Sequence, residues 1–379
     1  MKKLAIATRI LTWTATWTLT AVVAATGVGS SAGASAADHP SRIRSALSRA
    51  AVGDGVSEIA ISFRVRNVNR SDVPCASDGR SYTVRGHLIA PTPLLRHDRI
   101  DLATLYLHGL SFGEFFYRFR GASDADYAVA QARNGHASVV IDRLGYGRSG
   151  VPDGNQVCVG SRADMAHQMV RKLRSGRYHL DRTGKPRFDR VVLAGHSLGG
   201  QIAQVEAYSF GDIAGLVVLG YSDRVQSEVL KSSAAYAAQV CAGGGQTFRG
   251  RPGYAPFGPP SGAPAALFNS AKPGLEKSVL ARLSIDPCGD TASFTAATAA
   301  DLRHLGDIDV PVLVVGGGAD ALFPRPAAAN QAGLLTGSRS VTQTTLAGTA
   351  HAFTFERGRD RLVRVVDRWL ERRERHPAA

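Results

Sequence analysis

The stretch Arg190-Val191-Val192-Leu193-Ala194-Gly195-His196-Ser197-Leu198-Gly199-Gly200 decides how this chain is read. An apolar run ends in Gly-His-Ser-Leu-Gly, and an amphipathic run begins at Gln201. That pattern predicts a buried strand, a very tight turn and a helix. G-x-S-x-G is the nucleophile elbow, with the serine at the apex of the turn. Ser197 there takes a positive φ, which is strained for a residue with a Cβ. Glycine at 195, 199 and 200 avoids collisions as strand and helix close on each other. The turn lifts the Ser197 hydroxyl above the sheet, over the N-terminus of the next helix. Unpaired N–H groups and a positive partial charge at that helix end suit a developing oxyanion. A glycine-rich turn carrying a surface serine has the same five letters, so the partners elsewhere in the chain matter.

A serine hydroxyl is a poor nucleophile at neutral pH and needs a base beside it, with a third group to orient that base. His351 stands in Ala347-Gly348-Thr349-Ala350-His351-Ala352-Phe353, just past the strand-like run 340–346. Asp320 stands in Gly316-Gly317-Gly318-Ala319-Asp320, on the loop leaving the run 310–315. An Asx turn ahead of Pro324 is its bland alternative. Asp223, after the run 214–220, is the rival acid. Asp307 and Asp309 precede their strand and fall at the other edge of the sheet. The chain order Ser…Asp…His favours Asp320. Two aligned backbone donors are needed for an oxyanion. Leu198 is one. The loop opening with His108-Gly109, after the run 103–107, supplies the other, with Leu110 first and Ser111 second.

The rest of the chain fits a layered α/β fold. Residues 38–56 read as a polar leader. Ile59–Val65 and Ser81–Ala90 read as an antiparallel hairpin whose loop holds Cys75. Further strands are expected at 138–141 and 214–220, and helices near 124–134, 161–175 and 357–374. Strands that are continuous apolar runs, alternating with helices, mean a mostly parallel sheet covered on both faces. From 222 to 304 the pattern changes, with a Gly/Pro-rich tract at 242–265 between alanine-rich segments. This predicts a cap inserted between a first core part, 37–221, and a second, 305–379.

Lys2, Lys3 and Arg9, an apolar run to about Val28, and Ala34-Ser35-Ala36 have the layout of a secretory signal peptide over 1–36. Secretion is therefore expected, with no stable membrane anchor, because no other stretch is long and apolar enough to span a bilayer. Four cysteines in an exported chain suggest two disulfides, and their spacing matches no metal site. The net charge is +14, but no basic-aromatic module for nucleic acid accompanies it.

With these residues together the chain resembles the serine hydrolases of the α/β-hydrolase superfamily, from about residue 57 to 374. The likeness rests on His108-Gly109, Asp142-Arg143-Leu144-Gly145-Tyr146-Gly147-Arg148-Ser149, Gly195-His196-Ser197-Leu198-Gly199, Asp320 and His351. It implies an α/β-hydrolase fold: a mostly parallel eight-stranded sheet with one antiparallel strand, helices on both faces, and a lid after the sixth strand. It implies the triad Ser197, Asp320 and His351, an oxyanion hole from Leu198 and Leu110, and a structural role for the Asp142 loop. Ser197 argues against the members with an aspartate nucleophile. The expected activity is that of a secreted, lipase-like esterase on a small-molecule ester or lipid-like substrate, with no cofactor and no metal. Phe112, Phe115 and Phe116 are candidate pocket residues, faced by Phe248, Tyr254, Phe257 and Phe268 of the cap. His196 and His87 are expected to be structural. By the family's strand order Cys75 lies beside Cys158, and Cys241 and Cys288 both fall inside the expected cap, so the expected pairs are Cys75–Cys158 and Cys241–Cys288. An exopeptidase or amidase would need a cap carboxylate for an amino terminus, such as Glu228 or Glu276. A binding protein that has lost catalysis would usually lack a triad member.

Overall fold

The computed structural model describes residues 51–53, 55–122 and 125–375. The expected signal segment 1–36 lies outside the described residues.

Eight principal strands make the sheet: β1 (Val56–Arg66), β2 (Ser81–Pro91), β3 (Arg99–Leu107), β4 (Ala137–Asp142), β5 (Arg187–His196), β6 (Gly215–Leu219), β7 (Val312–Gly317) and β8 (Val341–Leu346). Their order is β1-β2-β4-β3-β5-β6-β7-β8. β2 runs antiparallel to β1 and β4, and every pairing from β4 to β8 is parallel. Two short strands, Ala51–Gly53 and His179–Leu180, pair with β1 and bring the sheet to ten. The polar leader expected over 38–56 therefore already contains an edge strand. Two or three residues are too few for a period-two pattern to register.

Burial follows from the layers. β4, β6 and β7 are buried at every position, as strands covered on both faces must be. The helices are α1 (Tyr127–Arg133), α2 (Val159–Ser175), α3 (Leu198–Phe210), α4 (Glu228–Ala242), α5 (Ala263–Leu267), α6 (Pro273–Leu280), α7 (Cys288–His304), α8 (Ala327–Leu334) and α9 (Arg359–Arg375). Met165 and Met169 of α2 and Ile202 and Val205 of α3 join one apolar cluster. Tyr127 of α1 and Leu362, Val366 and Trp369 of α9 join the cluster on the opposite face.

Between β6 and β7 the chain leaves the sheet. This insertion holds α4 to α7 and a small antiparallel sheet of Gln246–Phe248, Arg251–Ala255 and Asp286–Pro287. α7 packs on α2, α3 and α4, which seats the insertion over the helix carrying Ser197 at its start. Cys75 is bonded to Cys158, tying the hairpin loop to the start of α2. Cys241 is bonded to Cys288, tying the end of α4 to the start of α7.

Candidate active site

β5 ends at His196 and α3 begins at Leu198, so the whole change of direction falls on Ser197. Its φ is 54° and its ψ −125°. The close approach explains the flanking glycines unequally. A Cβ at 195 would lie 2.0 Å from the Gly199 carbonyl oxygen, and one at 199 would lie 2.2 Å from the Leu107 carbonyl oxygen. At 200 the nearest atoms are 3.3 Å away, so the collision expected there is only a tight contact. Two of its three nearest atoms belong to the Tyr221 and Val218 side chains, which yield more easily than the backbone that faces 195 and 199.

The loops after β7 and β8 bring the other two residues together. His351 Nδ1–H donates to Asp320 Oδ2 at 2.9 Å, and both side chains are buried. Asp320 Oδ1 accepts from the N–H groups of Leu322 and Phe323, at 2.9 and 3.0 Å, which holds the carboxylate still. The rival Asp223 is engaged elsewhere, accepting from Tyr221 Oη and Gln331 Nε2 at 2.8 and 2.7 Å. It also pairs with Asp301 of α7, and burial of the two carboxyls pushes both upward. His196, expected to be structural, holds the His351 loop: its Nε2–H donates to the His351 carbonyl at 2.9 Å. Burial and the neighbouring His351 keep His196 well below the usual histidine range, hence neutral.

The loop after β3 is braced on two sides. His108 Nδ1–H donates to the Gly109 carbonyl at 2.8 Å, while its Nε2 accepts from the Arg143 N–H at 3.0 Å. Burial and Arg143 hold His108 well below its ordinary range, in keeping with that neutral tautomer. Arg143 Nη2 donates to the same Gly109 carbonyl at 3.0 Å. Ser111 has φ 63°. Its N–H and hydroxyl donate to Asp286 of the insertion at 2.6 and 2.9 Å. Tyr146 Oη donates to Asp286 at 2.7 Å. The Ser111 N–H is thus occupied, whereas the N–H groups of Leu110 and Leu198 have no hydrogen-bond partner among the described residues. Burial pushes the Asp286 carboxyl up to about 6.

Two cavities meet at Leu110, Ser197 and Phe257, one of about 230 Å³ and one of about 180 Å³. His351 and Phe112 line the second. Phe115 and Phe116 line neither, which corrects the expectation for them. Phe116 is fully buried and stacks on His196 with centroids 4.0 Å apart, and Phe115 packs on Phe112 at 5.8 Å. Of the four cap aromatics only Phe257 reaches the cavities. Sequence reasoning missed Tyr221, Leu230, Phe294 and Phe323, which line the larger cavity. They belong to no motif, and α4 and α7 are too rich in alanine for their inner faces to stand out.

Among the described residues, His167, Glu206 and Asp212 gather possible metal-ligand atoms within 4.8 Å of one another. Burial and the adjacent Asp212 push the Glu206 carboxyl well above the carboxylate range. Glu206 lies nine residues along α3 from Ser197, on the order of 13 Å away along the axis.

Solved structures share this architecture at low sequence identity. A thermophilic esterase from Thermogutta terrifontis is 19% identical, with 82% of this chain and 98% of that chain covered and a TM-score of 0.53. For an esterase from Exiguobacterium antarcticum the figures are 15%, 80%, 98% and 0.54. For a monoacylglycerol lipase from Paleococcus ferrophilus they are 18%, 70%, 93% and 0.53. Such likeness is of fold. Compared by sequence with curated proteins, the chain has no significant match. The model of one family, described as the alpha/beta hydrolase family, matches residues 104–365. That span runs from within β3 to within α9 and takes in the serine turn and the loops of Asp320 and His351, and the chain belongs to the alpha/beta hydrolase family.

Proposed function

We propose that this protein is a secreted serine hydrolase that cleaves carboxylic esters through an acyl-enzyme. The observation carrying this is the hydrogen bond from His351 Nδ1–H to Asp320, on a histidine that shares a cavity wall with Ser197. With Nδ1 committed to Asp320, Nε2 is the nitrogen free to take the Ser197 proton. Ser197 Oγ attacks the ester carbonyl, and the N–H groups of Leu198 and Leu110 receive the oxyanion. His351 then passes the proton to the departing alkoxide, and later draws one from water for deacylation. His108, Arg143 and Asp286 hold the Leu110 loop, and His196 holds the His351 loop.

Neither carboxylate expected to receive an amino terminus is placed to favour the exopeptidase alternative. Glu228 is 88% exposed at its side chain and paired with Lys231 at 2.7 Å, and neither it nor Glu276 lines a cavity. Asp290 does line one, but it is bonded to Arg162 at 2.5 Å with Arg143 3.7 Å away. Export is supported by the two disulfides. Among the described residues no helix is long and apolar enough to cross a membrane.

The test is labelling by a fluorophosphonate, with hydrolysis of 4-nitrophenyl esters set against aminoacyl anilides. Labelling at Ser197 and preference for esters are expected, and Ser197→Ala should lose both. Faster turnover of the anilides would make the protein an amidase. Failure of any label to attach to Ser197 would remove the serine mechanism.

A further inference from the structure

Ser197 sits where two chambers meet, and the base stands in only one of them. We infer, resting on the roles proposed above for Ser197 and His351, that the chamber of about 230 Å³ under α4 and α7 receives the acyl half of the ester, and the chamber of about 180 Å³ beside His351 receives the alcohol half.

The assignment follows from where the proton must go. In the tetrahedral intermediate the former carbonyl carbon bears the Ser197 oxygen, the oxyanion, the acyl chain and the alkoxy oxygen. Collapse breaks the bond to the alkoxy oxygen, which takes the bonding electron pair and the proton that His351 removed from Ser197. The alkoxy group therefore faces His351, and the acyl chain takes the chamber that His351 does not line. Once the alcohol has left, water must reach the acyl carbon from the same side, which the emptied chamber permits.

The walls differ as the two halves require. The acyl chamber is lined by one stripe of α4, Leu230, Ala234 and Ala238, facing Thr291 and Phe294 of α7. The alanines leave the room, because larger side chains at i, i+4 and i+8 would fill it. Cys241–Cys288 joins the end of α4 to the start of α7, about one turn beyond Ala238 on α4 and one turn before Thr291 on α7, and so ties together the two helices that face each other across the chamber. A neighbouring stripe of α4, Val229, Ser232 and Ser233, lines the alcohol chamber instead, making α4 a wall of both. The far wall there is the Gly/Pro-containing segment around Gly258, Pro259 and Gly262, which carries no disulfide. Each half of the ester thus has a chamber of limited size, about 230 Å³ for the acid and about 180 Å³ for the alcohol. The substrate class is esters of short to medium acids with small alcohols, rather than long-chain triacylglycerols.

Two ester series test this, one varying the acid at a fixed 4-nitrophenol, the other varying the alcohol at fixed acetate, on the mature disulfide-bonded protein. Ala234→Phe should lower the octanoate-to-acetate ratio of kcat/KM at least about tenfold, with no matching change in selectivity along the alcohol series. Ala266→Phe, in the alcohol chamber, should do the converse. Thermal unfolding checks each variant, and Ala238→Leu and Ser233→Leu replace any that fails to fold. A shift of alcohol selectivity in Ala234→Phe would reverse the assignment. Equal losses in both series would refute it. Wild-type protein that turns over no ester and takes no label at Ser197 would instead overturn the esterase proposal, and the chambers with it.

Discussion

The His196 imidazole donates from Nε2 to the main-chain carbonyl of His351 across 2.9 Å, joining the strand that ends beside Ser197 to the loop that carries His351. His196 is fully buried, stacked on Phe116, and held neutral by burial and by His351. A buried carbonyl deprived of its donor costs about 1–3 kcal/mol. His196→Phe keeps the ring and removes the donor. We expect kcat to fall about tenfold or more with KM little changed, since about 1.4 kcal/mol of lost positioning has that effect. Initial-rate kinetics on a soluble ester decide it, and an unchanged kcat would mean that the His351 loop holds its own position.

Asp320→Asn and Asp223→Asn separate the two acids. In Asp320→Asn the amide can donate to His351 Nδ1 and so favour the wrong tautomer, and a loss of about 10⁴ in kcat is expected. Asp223→Asn alters the pair with Asp301 and should leave turnover near wild type. Single-turnover rates with a chromogenic ester read both, and the reverse result would transfer the orienting role to Asp223.

Asp286 gives a pH signature. Its buried carboxyl titrates near 6, against 3.8 when exposed, so the folded chain binds that proton more tightly. The stabilisation is complete below the lower value and is lost as pH rises through the higher one, in all about 3 kcal/mol. Asp286→Asn has no such proton. Urea unfolding between about pH 4 and about pH 7 should show wild type losing most of that relative to the variant as pH rises. A pH-independent difference would show that Asp286 titrates normally.

The elbow glycines should respond unequally. Gly195→Ala and Gly199→Ala drive a methyl group into backbone at 2.0 and 2.2 Å, and each is expected to cost more than about 3 kcal/mol or prevent folding. Gly200→Ala meets its nearest atoms only at 3.3 Å and should cost about 1 kcal/mol or less. Expression yield and denaturation midpoints distinguish these, and equal losses at all three would contradict the close approach described.

Replacing Cys241 and Cys288 together by serine opens a loop of 47 residues' separation, and about 2–4 kcal/mol of stability should be lost. Because the bond also joins α4 to α7, the preference among acyl lengths should flatten. Retention of a sharp preference in the double-serine variant would show that packing alone sets the width of the larger chamber.

What the sequence determined by itself is local. The strand, turn and helix around Ser197 follow from sterics within a handful of residues, and the apolar runs at 103–107, 138–141 and 214–220 are strands because strands buried on both faces read that way. Asp320 and His351 stand out as candidates by their places just past successive strands, and the short edge strands do not stand out at all, since two or three residues carry no period. Tertiary structure decided the contacts between distant parts. Ser111 meets Asp286 across 175 residues and His196 meets His351 across 155, and no pattern within either segment encodes the encounter. It also sent Phe116 into the core against His196 and Leu230 and Phe294 to the cavity, although all are simply apolar residues in their own segments. An apolar side chain is driven only to leave water, and which neighbour it finds depends on where the rest of the chain returns.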